Sequence, residues 1–111
     1  SMAYYLLQAS YQPDTIKAMV AKPQDREAAA RSVVEGLGGK LHSIFFAFGD
    51  RDIVAIIEVA DDKTMAAGSF ILSATGAFSK IETTPLLTTA AAMEAMSLAK
   101  ATASAYTPAT G

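Results

Sequence analysis

The chain has no cysteine, no tryptophan and a single histidine among its 111 residues. Without thiols it can form no disulfide, no thiolate metal site and no thiol nucleophile. A reducing compartment suits such a chain, and a cytoplasmic location is expected. One histidine would leave any metal centre dependent on carboxylates for its other ligands, so neither a metal nor another cofactor is expected. An excess of one charge is also missing: nine basic residues stand against eleven acidic ones, a net charge of -2. That balance offers no cationic footprint for nucleic acid. Apolar runs are short, and none approaches the roughly 18 residues of a membrane-spanning helix. Nucleic acid and membrane are therefore not expected partners. There is no glycine-rich phosphate loop, no zinc-type spacing and no evident Ser-His-Asp set.

What is plentiful is apolar surface, since 51% of the residues are hydrophobic. A chain of this length makes one domain, and one small core cannot hide that much, so a second copy of the chain is the expected partner, as a homodimer or higher oligomer. The start Met2-Ala3-Tyr4-Tyr5 lacks the basic-then-apolar order of a signal peptide. Ser1 reads as a remnant of expression.

The centre of the sequence is a hairpin signal. Two β-branched and aromatic runs, Lys40–Phe48 and Ile53–Val59, flank Gly49-Asp50-Arg51-Asp52. Ahead of it, Ala3–Tyr11 reads as a strand that is apolar on both faces, with Tyr4 and Leu6 on one and Tyr5, Leu7 and Ala9 on the other. Asp14 and Thr15 are expected to cap a short helix to Ala21, and Pro23 to open a second one that runs to Leu37 and ends at Gly38-Gly39. Behind the hairpin, Ala60–Thr64 caps a helix to about Thr75, with Met65 and Phe70 expected in the core. Ala77–Leu87 reads as a strand that Pro85 confines to a sheet edge. The alanine-rich run Ala90–Ala103 then forms a helix capped by Thr88 or Thr89. Residues 2–103 are read as one domain and 104–111 as a tail.

Strand, helix, strand, strand, helix, strand is the order of an α+β, ferredoxin-like fold: an antiparallel sheet in the order 4-1-3-2 with helices on one face. Its other face, carrying Val54, Ile56, Phe45 or Phe46 and Tyr4 or Tyr5, would stay apolar and uncovered. Two such sheets packed face to face would form a dimeric α+β barrel with a cavity between them.

Lys22-Pro23-Gln24-Asp25-Arg26, Leu37-Gly38-Gly39-Lys40-Leu41, Phe46–Val54 with Glu58, and Gly76-Ala77-Phe78 leading to Thr83–Leu87 together resemble the GYD-domain proteins. The similarity runs from Tyr11 to about Leu98. It implies the fold of the dimeric α+β barrels and no assigned activity. Arg51 stands where that family has its name-giving tyrosine, and Ala60 where it usually has proline. A looser similarity connects Gly49-Asp50-Arg51-Asp52 and Thr83-Thr84 with the ligand-sensing domains of leucine-responsive transcription regulators, implying a turn used in effector binding.

The candidate catalytic pair is His42 and Glu58. A three-residue hairpin loop pairs Phe48 with Asp52 and so His42 with Glu58, whereas a four-residue loop sets His42 opposite Val59. In the first register, His42 held by Glu58 has the composition of a general base. Candidate ligand-binding residues are Tyr5 and Phe46 for an apolar or aromatic molecule, Arg51 for an anionic group and Asp52 at the turn. Aspartate in a tight turn also commonly bonds that turn's own amides. Three functions are expected in this order: binding of a small apolar or aromatic molecule between the sheets of a dimer, a cofactor-independent oxygenase or isomerase using His42 and Glu58, and structural assembly without a ligand.

Overall fold

The computed structural model describes residues 2–110. The elements are β1 (Ala3–Tyr11), α1 (Pro13–Ala21), α2 (Arg26–Gly36), β2 (Lys40–Phe46), β3 (Ile53–Val59), α3 (Asp62–Ala74), β4 (Phe78–Leu86) and α4 (Thr89–Thr102), closed by a 3-10 turn at Ala103–Ala105. The strands form one antiparallel sheet in the order β2-β3-β1-β4, the expected ferredoxin-like arrangement. β4 is an edge strand, which tolerates Pro85 because no further strand needs its missing amide.

Alternation along the two central strands decides which side is the core. Tyr5, Leu7, Ala9 and Tyr11 of β1 and Ile53, Ala55, Ile57 and Val59 of β3 are buried, and they cluster with Val34 of α2 and Met65 of α3. The helices thus cover this face, and each fully buried aliphatic side chain contributes about 1.5–3 kcal/mol. Tyr4, Leu6, Gln8, Val54, Ile56 and Glu58 point the other way and are half-buried. The two alternatives left by the sequence resolve accordingly: Tyr4 and Phe45 lie on the open face, Tyr5 and Phe46 on the helix side.

The hairpin adopts neither expected register. Phe46 pairs with Ile53, and the Ala47 amide donates to the Asp52 carbonyl at 2.8 Å. The turn closed by this pair is Phe48–Arg51, one position earlier than Gly49–Asp52, and Phe48 is fully exposed rather than paired. The start of β3 is set by β1: the Asp52 amide donates to the Ala9 carbonyl at 2.9 Å, and the Asp52 carboxylate accepts the Tyr11 amide at 2.9 Å. Continued straight, this register would put His42 opposite Ile57. A bulge between Leu41 and Ser43 inserts His42 as an extra residue and resets the ladder to Leu41 opposite Ile57 and Lys40 opposite Glu58.

Three helix expectations are corrected. Pro13, not Asp14 or Thr15, opens α1, with Gln12 at the cap position making no side-chain bond to the helix; Thr15 instead donates to the Ala77 carbonyl at 2.9 Å. The second helix starts at Arg26 rather than at Pro23, because Asp25 supplies the cap by accepting the Ala28 amide at 3.0 Å. Phe70 is 74% exposed while Met65 is buried; five residues at 100° each set Phe70 about 140° around α3 from Met65. Asp61, within the expected Ala60–Thr64 segment, caps α3, and of the two threonines expected to cap α4 it is Thr88 that does so.

Gly38 and Gly39 have different duties. Gly38 takes the left-handed conformation, φ 76°, that ends α2. Gly39 has room for no side chain, since a Cβ there would meet the Glu58 carbonyl and the Val59 side chain at 2.5 Å each.

The radius of gyration is 17.9 Å, against roughly 13 Å for a compact chain of this length. α4 has no buried residue and exposes Met93, Met96 and Leu98. It projects from the body and stretches the longest extent to 59 Å.

Candidate functional site

The bulge at His42 builds the site. Two successive side chains of a bulged strand share one side, so His42 and Ser43 both face the open side while Leu41 and Ile44 face the helices. His42 thereby comes beside Glu58 of β3, with Nε2 2.8 Å from Oε1. Tyr4, which pairs with Glu58 from β1, lays its ring 5.6 Å from the imidazole. An ionised carboxylate only accepts, so Nε2 is the donor to Glu58, and Nδ1 of the neutral ring keeps its lone pair. The pair is half-sheltered, with side-chain exposures of 31% and 19%.

Arg51 forms the other polar end of the same face. Its guanidinium crosses β1 to pair with Glu82 of β4, and Lys80 reaches the same carboxylate at 3.0 Å. Arg51 first and Lys80 second hold the Glu82 carboxyl below the usual carboxylate range. Arg51 also donates to the Asp50 carbonyl at 3.0 Å, while its Nε is buried without a partner among the described residues. Between the two polar ends lie Leu6, Val54, Ile56 and Phe45. Phe45 is 69% exposed.

The remaining candidates lie elsewhere. Asp52 bonds the Tyr11 amide of β1 rather than amides of its own turn. Tyr5 is buried under the helices and donates to Asp62 at the start of α3; that bond, followed by burial, pushes its phenol up to about 12. Phe46 stacks near Tyr11 on the helix side, ring centres 6.3 Å apart. The structure therefore brings His42 and Glu58 together and sets Tyr5, Phe46 and Asp52 apart from them. Sequence reasoning missed Glu82 as the carboxylate that Arg51 and Lys80 share, and Asp62 as partner of Tyr5. Among the described residues no three histidine, aspartate or glutamate side chains converge as metal ligands would, and no helix is long and apolar enough to cross a membrane.

Comparison with known proteins identifies the family. No curated protein matches the chain. Among solved structures it is similar to MtbAldR, at 14% identity and a TM-score of 0.49, covering 78% of this chain and 52% of that one. It thus spans about half the length of that protein. It is also similar to an uncharacterised NIPSNAP-like domain protein from Burkholderia xenovorans, at 17% identity and a TM-score of 0.48 over 78% and 84% of the two chains. A third is a protein of unknown function from Nitrosomonas europaea, at 18% identity and a TM-score of 0.40 over 78% and 89%. The GYD domain profile matches residues 5–96, most of the chain, and the protein belongs to the GYD domain family.

Proposed function

We propose that the protein is a small-molecule-binding domain that pairs through its open sheet face and holds an apolar or aromatic ligand between the two sheets. The observation that carries this reading is the layout of that face. Leu6, Val54, Ile56 and Phe45 give it an apolar middle, and its ends carry His42–Glu58 with Tyr4 and Arg51–Glu82 with Lys80. An apolar surface with a few fixed polar groups is the composition of a ligand site. It is also a surface that a single copy leaves in water at a cost.

Native mass spectrometry of the purified protein tests both halves. The expected spectrum shows a dimer, with or without retained mass, and Val54→Asp shifts it to monomer. A monomer at micromolar concentration contradicts the proposal.

One observation favours a second reading, cofactor-independent catalysis on a ligand in that cavity. Glu58 fixes the orientation of the His42 ring and leaves Nδ1 free to accept a proton, the arrangement of a general base. Turnover would then fall by about 100-fold or more in His42→Gln with little change in dimerisation. Unchanged turnover of a substrate found for the wild type would remove His42 from the chemistry. If Val54→Asp leaves the dimer intact, pairing uses another surface and the site belongs to one chain alone.

A further inference from the structure

The covered side of the sheet holds space that no side chain fills. Between α2 and α3 lie two adjoining apolar cavities, of about 60 Å³ and about 190 Å³, which share Leu7, Ala30, Val33, Ile44 and Leu72 in their walls. The smaller reaches inward to Met65 and Gly68. The larger runs out past Tyr11 and Phe78, whose rings stack at 4.8 Å, and meets solvent beside Arg26. Together they approach the lower end of small-molecule pockets, roughly 300 Å³.

Arg26 is the charged group at this mouth, and its charge is not spent. Its guanidinium donates to the Gln24 side-chain carbonyl at 2.7 Å. It forms no ion pair with any described carboxylate. Both adjacent acids are committed: Asp25 caps α2, and Glu27 pairs with Arg31 at 2.8 Å. A planar cation with open donors above an apolar cleft is complementary to one chemistry, a carboxylate joined to an apolar body.

We infer that this cleft is a binding site for an apolar monocarboxylic acid, its carboxylate on Arg26 and its body running between Val33 and Leu72 toward Met65. The site lies within one chain, across the sheet from His42, and does not require the dimer.

The test is a methyl-resolved NMR titration of the full chain with octanoate and, separately, with 1-octanol. The expected result is saturable shifts at Leu7, Ile44 and Leu72, with octanoate binding on the order of tenfold tighter than octanol through the charged hydrogen bonds. Arg26→Gln should erase that tenfold preference while leaving octanol binding unchanged. Ala30→Leu, which fills the shared wall, should abolish both. Equal affinity for the two probes in the wild type, or no saturable shift, overturns the inference. So do shifts confined to Val54 and Ile56, which would place the ligand on the open face, and cleft shifts that follow protein concentration alone, which would assign the cleft to a second copy. Because Arg26 makes no ion pair, its substitution leaves the fold intact and the comparison readable even if Ala30→Leu does not fold.

Discussion

At the scale of single residues, the most exacting positions are the two glycines after α2. Gly39→Ala must push the Glu58 carbonyl or the Val59 side chain aside, and overpacking of this kind costs about 1–3 kcal/mol. Gly38→Ala meets open space but keeps a left-handed backbone, which costs an alanine about 1 kcal/mol. Chemical denaturation should rank the two in that order. The Tyr5 phenol gives a pH signature: its pKa is raised in the folded state, so the stability it lends is complete below about pH 10 and is lost as pH rises toward about 12. Tyr5→Phe should flatten that alkaline decline and lower stability near neutrality by about 1–2 kcal/mol. At the acid end, hydrogen bonds from the Thr64 hydroxyl and amide lower the Asp61 carboxyl. Its contribution is therefore present above the ordinary carboxylate pKa and disappears as pH falls through the lowered one. Asp61→Asn should remove part of the acid sensitivity of thermal unfolding.

At the scale of elements, most of the architecture was legible before any coordinates. The strand Ala3–Tyr11, a helix cap within Ala60–Thr64, the Gly38-Gly39 stop and the edge placement of Pro85 each follow from local chemistry. What stayed hidden was non-local. The hairpin register is fixed by Asp52 bonding to Ala9 and Tyr11, with α1, α2 and β2 between them in the chain, and turn composition carries no trace of it. The bulge did leave a trace: Leu41 and Ile44 both face the helices although they are three positions apart, an odd spacing that strict alternation forbids. That irregularity brings His42 to Glu58, the outcome the three-residue loop was expected to give by direct pairing. Tyr4 and Glu82 joined the site only through strand order. The projecting α4 is the element least supported by its own chain, since a 14-residue helix without tertiary packing is marginal in water. Its amides should exchange with solvent faster than those of α2 and α3 in a hydrogen-exchange experiment at low protein concentration. Protection equal to that of β1 would mean that α4 is packed against a partner.

At the scale of the whole molecule, two sides of one sheet offer different opportunities. The helix side carries an apolar core with a cleft that opens at Arg26, and the open side carries an apolar field between two polar pairs. The cleft is complete in a single chain, whereas the field is uncovered until something packs on it. In the proposed pairing, a second copy would meet that need by presenting the same surface through a two-fold axis, with apolar middle against apolar middle. Pairing would also withdraw His42 and Glu58 from bulk water and strengthen their interaction. Ile56→Lys, in the middle of this field, should therefore disrupt association without touching the core. Sedimentation velocity at micromolar concentration, run on the wild type and on Ile56→Lys, tests the pairing most directly. A dimer is expected for the first and a folded monomer for the second; a wild type that sediments as a monomer would contradict pairing through this face.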